Sequence, residues 1–192
     1  MSLPSRRFGE RHPVTPTSMI YGRVGHALVA RKVGKARAIV ERAISKRGRD
    51  WRLWSLRASI EEFDGRFRLA EQYQQHAVML ARSKVLPLIE LVELYRDTGQ
   101  IRKARRTLSL LARALKSGVG PGTRMIRHEV LVMRSELELL GGRPRKAVRL
   151  LAGALRDAPG SRCLVGGMAM VASAIIHRPG NAKGTARRRG SR

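Results

Sequence analysis

The chain has 192 residues and a formal net charge of +26 at pH 7, because 40 Lys and Arg residues face only 14 Asp and Glu residues. This length fits one domain or one short solenoid and is sufficient to bury a core. The single cysteine, Cys163, excludes a disulfide within the chain and a cysteine-based metal cluster. The charge points to an anionic partner and carries no information about the fold.

The first 17 residues are predicted to be an N-terminal extension. They contain no apolar run of the kind that a secretory signal needs. Their Arg and Ser content is compatible with an organellar transit peptide, but Glu10 and the prolines at positions 4, 13 and 16 oppose an amphipathic helix there. We therefore expect a cytoplasmic protein.

Glycine and alanine recur at a fixed spacing in the next part of the chain. Gly65 is followed five residues later by Ala70 and seven residues after that by Ala77, in a segment with a helical pattern. Alanines seven residues apart lie on one stripe of a helix, where their small side chains let a second helix come close. Gly65 is expected in the turn that precedes this helix.

The same spacing returns in three further segments, shifted by 34 residues in either direction and then by 43 residues. The turn position and the two helix positions are occupied there by Arg31, Ala36 and Ala43, by Gly99, Ala104 and Leu111, and by Gly142, Ala147 and Ala154. The longer last shift indicates an insertion of about nine residues near residues 117–125.

A period of 34 residues with two helices per unit resembles the tetratricopeptide repeat over about residues 18–160. In that family a Trp opens helix A, a small residue follows it, a Gly lies in the turn, and alanines follow on helix B. The second unit matches this pattern best, through Trp54, Ala58, Gly65, Ala70 and Ala77. The resemblance implies an all-α solenoid of about four degenerate helix pairs. An irregular helical bundle is the alternative.

Two segments follow the repeats. Residues 161–177 are predicted to form a helix that caps the last apolar face of the solenoid. Its apolar part, residues 163–177, is short for a membrane span, and its small residues would also suit a close contact with a partner helix. Residues 178–192 are predicted to be a basic, disordered tail.

The positive charge is concentrated on the predicted B helices. The helix B segments 32–49, 66–84, 102–116 and 143–157 carry +19 in total, whereas the helix A segments 20–31, 50–64, 86–98 and 124–141 carry −2. In the family, helix A lines a concave groove and helix B forms the outer face. The resemblance therefore implies a basic convex face.

This basic face and the tail predict a polyanionic partner, and nucleic acid is the usual one. Aromatic side chains such as Trp54, Phe67 and Tyr95 stand at positions explained by packing, so contacts to phosphates are expected rather than base stacking. We expect RNA rather than DNA, in a ribonucleoprotein. The residues expected to contact it are Lys35, Arg37, Lys46, Arg102, Lys103, Arg105, Arg106, Arg143, Arg145, Lys146, Arg149, Arg187, Arg188 and Arg189.

Two other interpretations of the charge stay open. One is a solvated helix surface with no partner. The other is a purely protein-binding scaffold, or a secretion-type chaperone or regulator, whose partner is an acidic protein.

The family geometry also implies a mixed, mildly acidic groove that binds a protein or peptide. The residues expected to line it are Tyr21, Arg52, Ser55, Ser59, Glu62, Ile89, Glu93, Arg96, Val132 and Glu136.

The sequence does not indicate an enzyme. Its five histidines are scattered and have no spacing suited to a metal. The glycine-rich stretch at residues 118–122 lacks the Lys and Ser ending of a phosphate-binding loop. No nucleophile, base and oxyanion site are brought together, so we expect no catalysis, cofactor or metal.

Overall fold

The computed structural model of the protein describes residues 16–116 and 121–176. All regular structure in these residues is helical. The helices are α1 (Pro16–Val29), α2 (Val33–Arg47), α3 (Trp51–Phe63), α4 (Phe67–Leu80), α5 (Val85–Asp97), α6 (Ile101–Ala114), α7 (Pro121–Leu140), α8 (Pro144–Asp157) and α9 (Arg162–Ile176). The predicted N-terminal extension and the basic tail lie almost entirely outside the described residues.

The chain divides into two compact units, Met1–Arg82 and Ser83–Arg192. In the first unit, α1 pairs with α2 and α3 pairs with α4, and α2 also packs against α3. In the second unit, α5 pairs with α6 and α7 pairs with α8. Each pair corresponds to one predicted repeat.

The core of the first unit contains the alanines that define the repeat. Ala36 and Val40 of α2 pack with Val24 and Ala27 of α1, and all are at most 4 % exposed. Ala70 of α4 is fully buried. The absence of a long side chain at these positions lets the paired helices approach closely.

The second unit is closed by α9, which packs against both α7 and α8. Leu164 and Val171 of α9 are fully buried with Ala147 and Leu151 of α8. A Cβ atom on Gly167 would lie 2.8 Å from Val132, so this position requires glycine for α9 to approach α7. The capping helix expected from the sequence is therefore present.

The turn between the two helices of a repeat has the same backbone geometry in all four pairs. Gly65, Gly99 and Gly142 have positive φ values of 74°, 69° and 74°. Arg31 takes the equivalent place in the first repeat and adopts φ of 53°. Glycine is favoured here because it has no Cβ atom to clash in the left-handed region.

Backbone hydrogen bonds explain why that conformation is needed. The amide of Gly65 donates to the carbonyl of Glu62 at 2.9 Å, and the next amide donates to the carbonyl of Glu61 at 2.8 Å. The same two bonds recur at residues 31, 99 and 142. They form a Schellman motif, which satisfies the last carbonyls of the first helix.

One packing expectation is wrong. Phe67 was expected to be a core residue, but it is the first residue of α4 and its side chain is 47 % exposed. Trp54 and Tyr95 do pack within their units, and Tyr95 is 4 % exposed.

Candidate binding surfaces

A buried carboxylate organises the basic residues of the first unit. The side chain of Glu61, at the end of α3, is 1 % exposed. Arg37 of α2 donates to both of its oxygens at 2.9 Å, and Arg57 lies 3.2 Å away. Arg37 also donates to Asp64. Its hydrogen bonds to Glu61 and Asp64 raise the pKa of Arg37, and the hydrogen bond from Arg37 lowers the pKa of Asp64. Glu61 and Asp64 thus pair with Arg37, which the sequence assigns to the basic outer face.

Glu138, at the end of α7, occupies the equivalent position in the second unit. Its side chain is 5 % exposed and lies 2.7 Å from Arg143, 3.4 Å from Lys146 and 3.5 Å from Arg105. Arg105 also donates to the carbonyl oxygen of Leu137 at 2.8 Å. The Arg105 guanidinium therefore bridges α6 to the end of α7.

These ion pairs involve four residues of the predicted nucleic-acid surface. Arg37 is ion-paired with Glu61, and Arg105, Arg143 and Lys146 are ion-paired with Glu138. Arg143 and Lys146 nevertheless keep about half of their side chains exposed, so they are shared between Glu138 and the surface.

The other predicted cations lie on the surface. Lys103 is exposed and stacks over the ring of Tyr95, with 5.2 Å from Nζ to the ring centroid. Arg187, Arg188 and Arg189 lie outside the described residues. The remaining six are exposed and form no ion pair within residues 16–116 and 121–176, namely Lys35, Lys46, Arg102, Arg106, Arg145 and Arg149.

In the first unit the predicted groove residues do not share one environment. Ser55 is buried and its hydroxyl bonds to the side chain of Gln74, so its placement in an exposed groove is wrong. Tyr21 is 40 % exposed and donates to the carbonyl oxygen of Arg52, whose guanidinium binds Asp50. Ser59 is exposed, and Glu62 is half-buried.

In the second unit the predicted groove residues Ile89, Glu93, Arg96 and Glu136 are half-buried on α5 and α7. Arg96 joins the two helices through Glu136 at 3.3 Å. Burial raises the pKa of Glu93, and neighbouring acidic groups add to the effect. Val132 is also half-buried, and it packs against the apolar cluster of α8 and α9.

A cleft of about 860 Å³ opens between α6, α7 and the start of α8 in the second unit. Its floor is apolar: Leu108, Leu115 and Val130 are buried beneath it, Leu131 is half-buried and Ala112 is exposed. Seven basic side chains line it against one acidic side chain, that of Glu138. These basic residues are Arg105, Arg113, Lys116, Arg127, Arg134, Arg143 and Lys146.

Four of the seven were missed by sequence analysis: Arg113, Lys116, Arg127 and Arg134. They lie at the end of α6 and on α7, on either side of the insertion. Two signals were present, namely the strong amphipathicity of α6 and the insertion that separates it from α7. Neither signal alone locates a cleft.

Neither a metal site nor a membrane span is found in the described part of the chain. No group of three His, Cys, Asp or Glu side chains there could hold a metal ion. None of its helices has the length and apolar character that crossing a membrane requires.

Comparison with known proteins shows what this helix arrangement is. No protein-family model and no curated protein matches the sequence. A thermophilic TPR protein of Thermus thermophilus superposes with a TM-score of 0.61 at 16 % identity, over 85 % of this chain and 84 % of that one. The chain has the tetratricopeptide fold. PilF of Pseudomonas aeruginosa superposes with a TM-score of 0.50 at 15 % identity, over 80 % of this chain and 66 % of that one.

The all-α tetratricopeptide architecture expected from the sequence is therefore confirmed. The likeness to these two proteins extends to the tetratricopeptide fold and no further, because the identities are low.

Proposed function

We propose that the protein is a non-enzymatic adaptor that binds an acidic partner protein through the basic helix B side of its second unit. The tetratricopeptide fold is compatible with this role, since helical repeats build extended binding surfaces. The fold does not indicate which partner is bound, so the proposal of an acidic protein is based on the residues of this surface.

The observation that carries the proposal is the apolar floor of the cleft between α6 and α7. Leu131 and Ala112 are the accessible apolar residues of this floor, and cations surround them. A phosphate backbone would use the cations and leave the apolar floor without a partner. An acidic protein segment with apolar side chains matches both parts of the surface.

Nucleic acid is the second candidate, and RNA in a ribonucleoprotein is its specific form. The six exposed cations without an ion pair favour it, because they are available to phosphates in both units. Contacts of this kind would recognise a phosphate backbone with little preference for base sequence.

The helix A residues Glu93, Arg96 and Glu136 are proposed as a second, separate protein-binding surface. They combine partly buried carboxylates with one ion-paired arginine. A protein segment with basic side chains would complement this surface.

Three probes of equal net charge test the function. They are an acidic peptide that contains leucines, the same peptide with serine in place of each leucine, and a single-stranded RNA oligonucleotide. Fluorescence anisotropy across a salt series measures the affinity of each.

We expect the leucine peptide to bind most tightly and to stay bound as salt rises, because apolar burial is insensitive to screening. The RNA affinity should fall steeply with salt as counterions are released. If RNA binds more tightly than both peptides at physiological salt, the nucleic-acid candidate replaces the acidic-protein proposal.

A further inference from the structure

We propose that the cleft between α6, α7 and the start of α8 is the docking site for a single amphipathic acidic helix of a partner protein. This inference rests on the proposed function, and it adds the place on the molecule and the form of the ligand. Three observations carry it: a space that is filled in another repeat, the length of the floor, and the positions of the cations.

The equivalent space in the second repeat is filled by an aromatic side chain. Trp54 of α3 donates its indole N–H to the carbonyl oxygen of Gly48 at 2.6 Å, and its ring lies 4.4 Å from that of His76. In the repeat register, Leu131 of α7 corresponds to Trp54, and Lys116 corresponds to Gly48. Both Leu131 and Lys116 line the cleft.

The aromatic neighbours are missing as well. Trp54 packs against Tyr73 and His76 of α4. The residues of α8 at the corresponding positions are Leu150 and Gly153, which are smaller. Of the three positions only Leu131 lines the cleft, so the change from Trp54 to Leu131 is the one that bears on its open space.

The shape of the floor suits a short helix. Along α6 and the two residues after it, the lining residues follow helical spacing, from Arg105 through Leu108 and Ala112 to Lys116. This stripe is about 16 Å long at 1.5 Å per residue, which is about three helical turns. An amphipathic helix with apolar side chains at i, i+3 or i+4, and i+7 would cover such a floor.

The cations are placed on both walls. Arg113 of α6 and Arg134 of α7 are exposed and form no ion pair within the described residues. The Nε atom of Arg105 is buried and has no hydrogen-bond partner there. Acidic side chains on the two flanks of a docked helix would meet these arginines, and this selects an acidic helix over a neutral one.

The test uses the leucine-containing acidic peptide and two matched double variants. Arg113→Gln with Arg134→Gln removes two charges from the cleft walls. Arg102→Gln with Arg106→Gln removes two charges of α6 that are also exposed but do not line the cleft. We expect the first pair to weaken peptide binding about tenfold and the second about twofold or less.

A second pair of variants fills the cleft without changing charge. Leu131→Trp restores the residue type of the second repeat, and Ala112→Trp places a ring over the floor from an exposed position. Each should abolish peptide binding while the far-UV circular dichroism stays unchanged. If Leu131→Trp does not fold, Ala112→Trp alone tests whether the peptide binds in the cleft.

The outcomes separate this inference from the function on which it rests. If the wild-type protein does not bind the peptide, both are refuted. If the peptide binds but both double variants weaken it equally, or the Trp variants still bind, the cleft is refuted and the acidic-partner function stands. If the cleft variants instead abolish binding of RNA or of anionic lipid vesicles and leave the peptide unaffected, the ligand assignment is overturned.

Discussion

Replacing Arg31 with glycine should stabilise the first unit. Arg31 has φ of 53°, whereas the other three inter-helix turns place glycine at the same position. Its amide and the next one make the same pair of backbone hydrogen bonds as the glycine turns, at 2.9 and 2.8 Å. The conformation is therefore imposed by the turn, and the arginine adopts it at a cost.

The size of the effect follows from two opposing contributions. A residue with a Cβ atom costs roughly 1–2 kcal/mol in the left-handed region. Relief of this strain is partly offset, because glycine has more conformational freedom in the unfolded chain and loses about 0.5–1 kcal/mol more on folding. Arg31→Gly should therefore raise the unfolding free energy by about 0.5–1 kcal/mol.

Two glycine-to-alanine variants in the same unit serve as controls, and they should change the unfolding free energy in opposite directions. Gly65 has φ of 74° and Gly25 is helical, and an added Cβ would meet nothing within 4 Å at either position. Backbone conformation alone thus separates them. Gly65→Ala should lose about 1 kcal/mol, and Gly25→Ala should gain about 0.5–1 kcal/mol.

Urea unfolding followed by tryptophan fluorescence measures all three variants, because both tryptophans of the chain lie in α3 of the first unit. The reasoning is refuted if Arg31→Gly destabilises the unit, or if the two alanine variants change stability in the same direction.

Three further variants test the packing and the buried charges. Glu61→Gln should lower the free energy of unfolding in urea by about 3 kcal/mol, and by more than Glu138→Gln does. The reason is that Arg37 and Arg57 around Glu61 are more deeply buried than Arg143 and Lys146 around Glu138. Equal losses would contradict this. Ala104→Leu should cost about 1–3 kcal/mol, since Ala104 is fully buried, while Ala112→Leu on the exposed side of the same helix should cost little; a reversed order in thermal melts would show that the helix register is wrong. Burial raises the pKa of Glu93 in the folded protein. The stability that this shift contributes is fully present below about pH 4, where Glu93 is neutral, and is lost as the pH rises through the folded pKa. Glu93→Gln should therefore raise the melting temperature at pH 7 but not at pH 4, and a gain of equal size at both values would exclude the burial effect.

The fold was predictable because its signals are local. A small residue on helix B and a glycine at the turn each act within one helix pair, so their spacing is visible in the sequence. Gly65, Gly99 and Gly142 show this directly, since each lies in the inter-helix turn that the spacing predicts and has a positive φ there. Arg31 was the exception in the pattern, and only the structure shows that the turn keeps its geometry without glycine.

The surface was harder to predict, because it depends on residues that are distant in the chain. Arg37 and Glu61 are separated by 24 residues, and helical spacing alone places Arg37 on a charged outer face. Prediction of the cleft requires a comparison of Leu131 with Trp54. That comparison needs the repeat register and the contacts of Trp54. Net charge predicts neither arrangement.

The two buried carboxylates recur at alternate repeats, and this bears on the origin of the chain. Arg37 with Glu61 and Arg105 with Glu138 occupy equivalent positions, with the arginine on one repeat and the glutamate on the next. At the intervening repeat boundary the same two positions hold Glu71 and Tyr95. A pattern with a period of two repeats is expected from the duplication of an ancestral two-repeat segment. The insertion and the presence of Leu131 in place of Trp54 would then distinguish the second copy from the first.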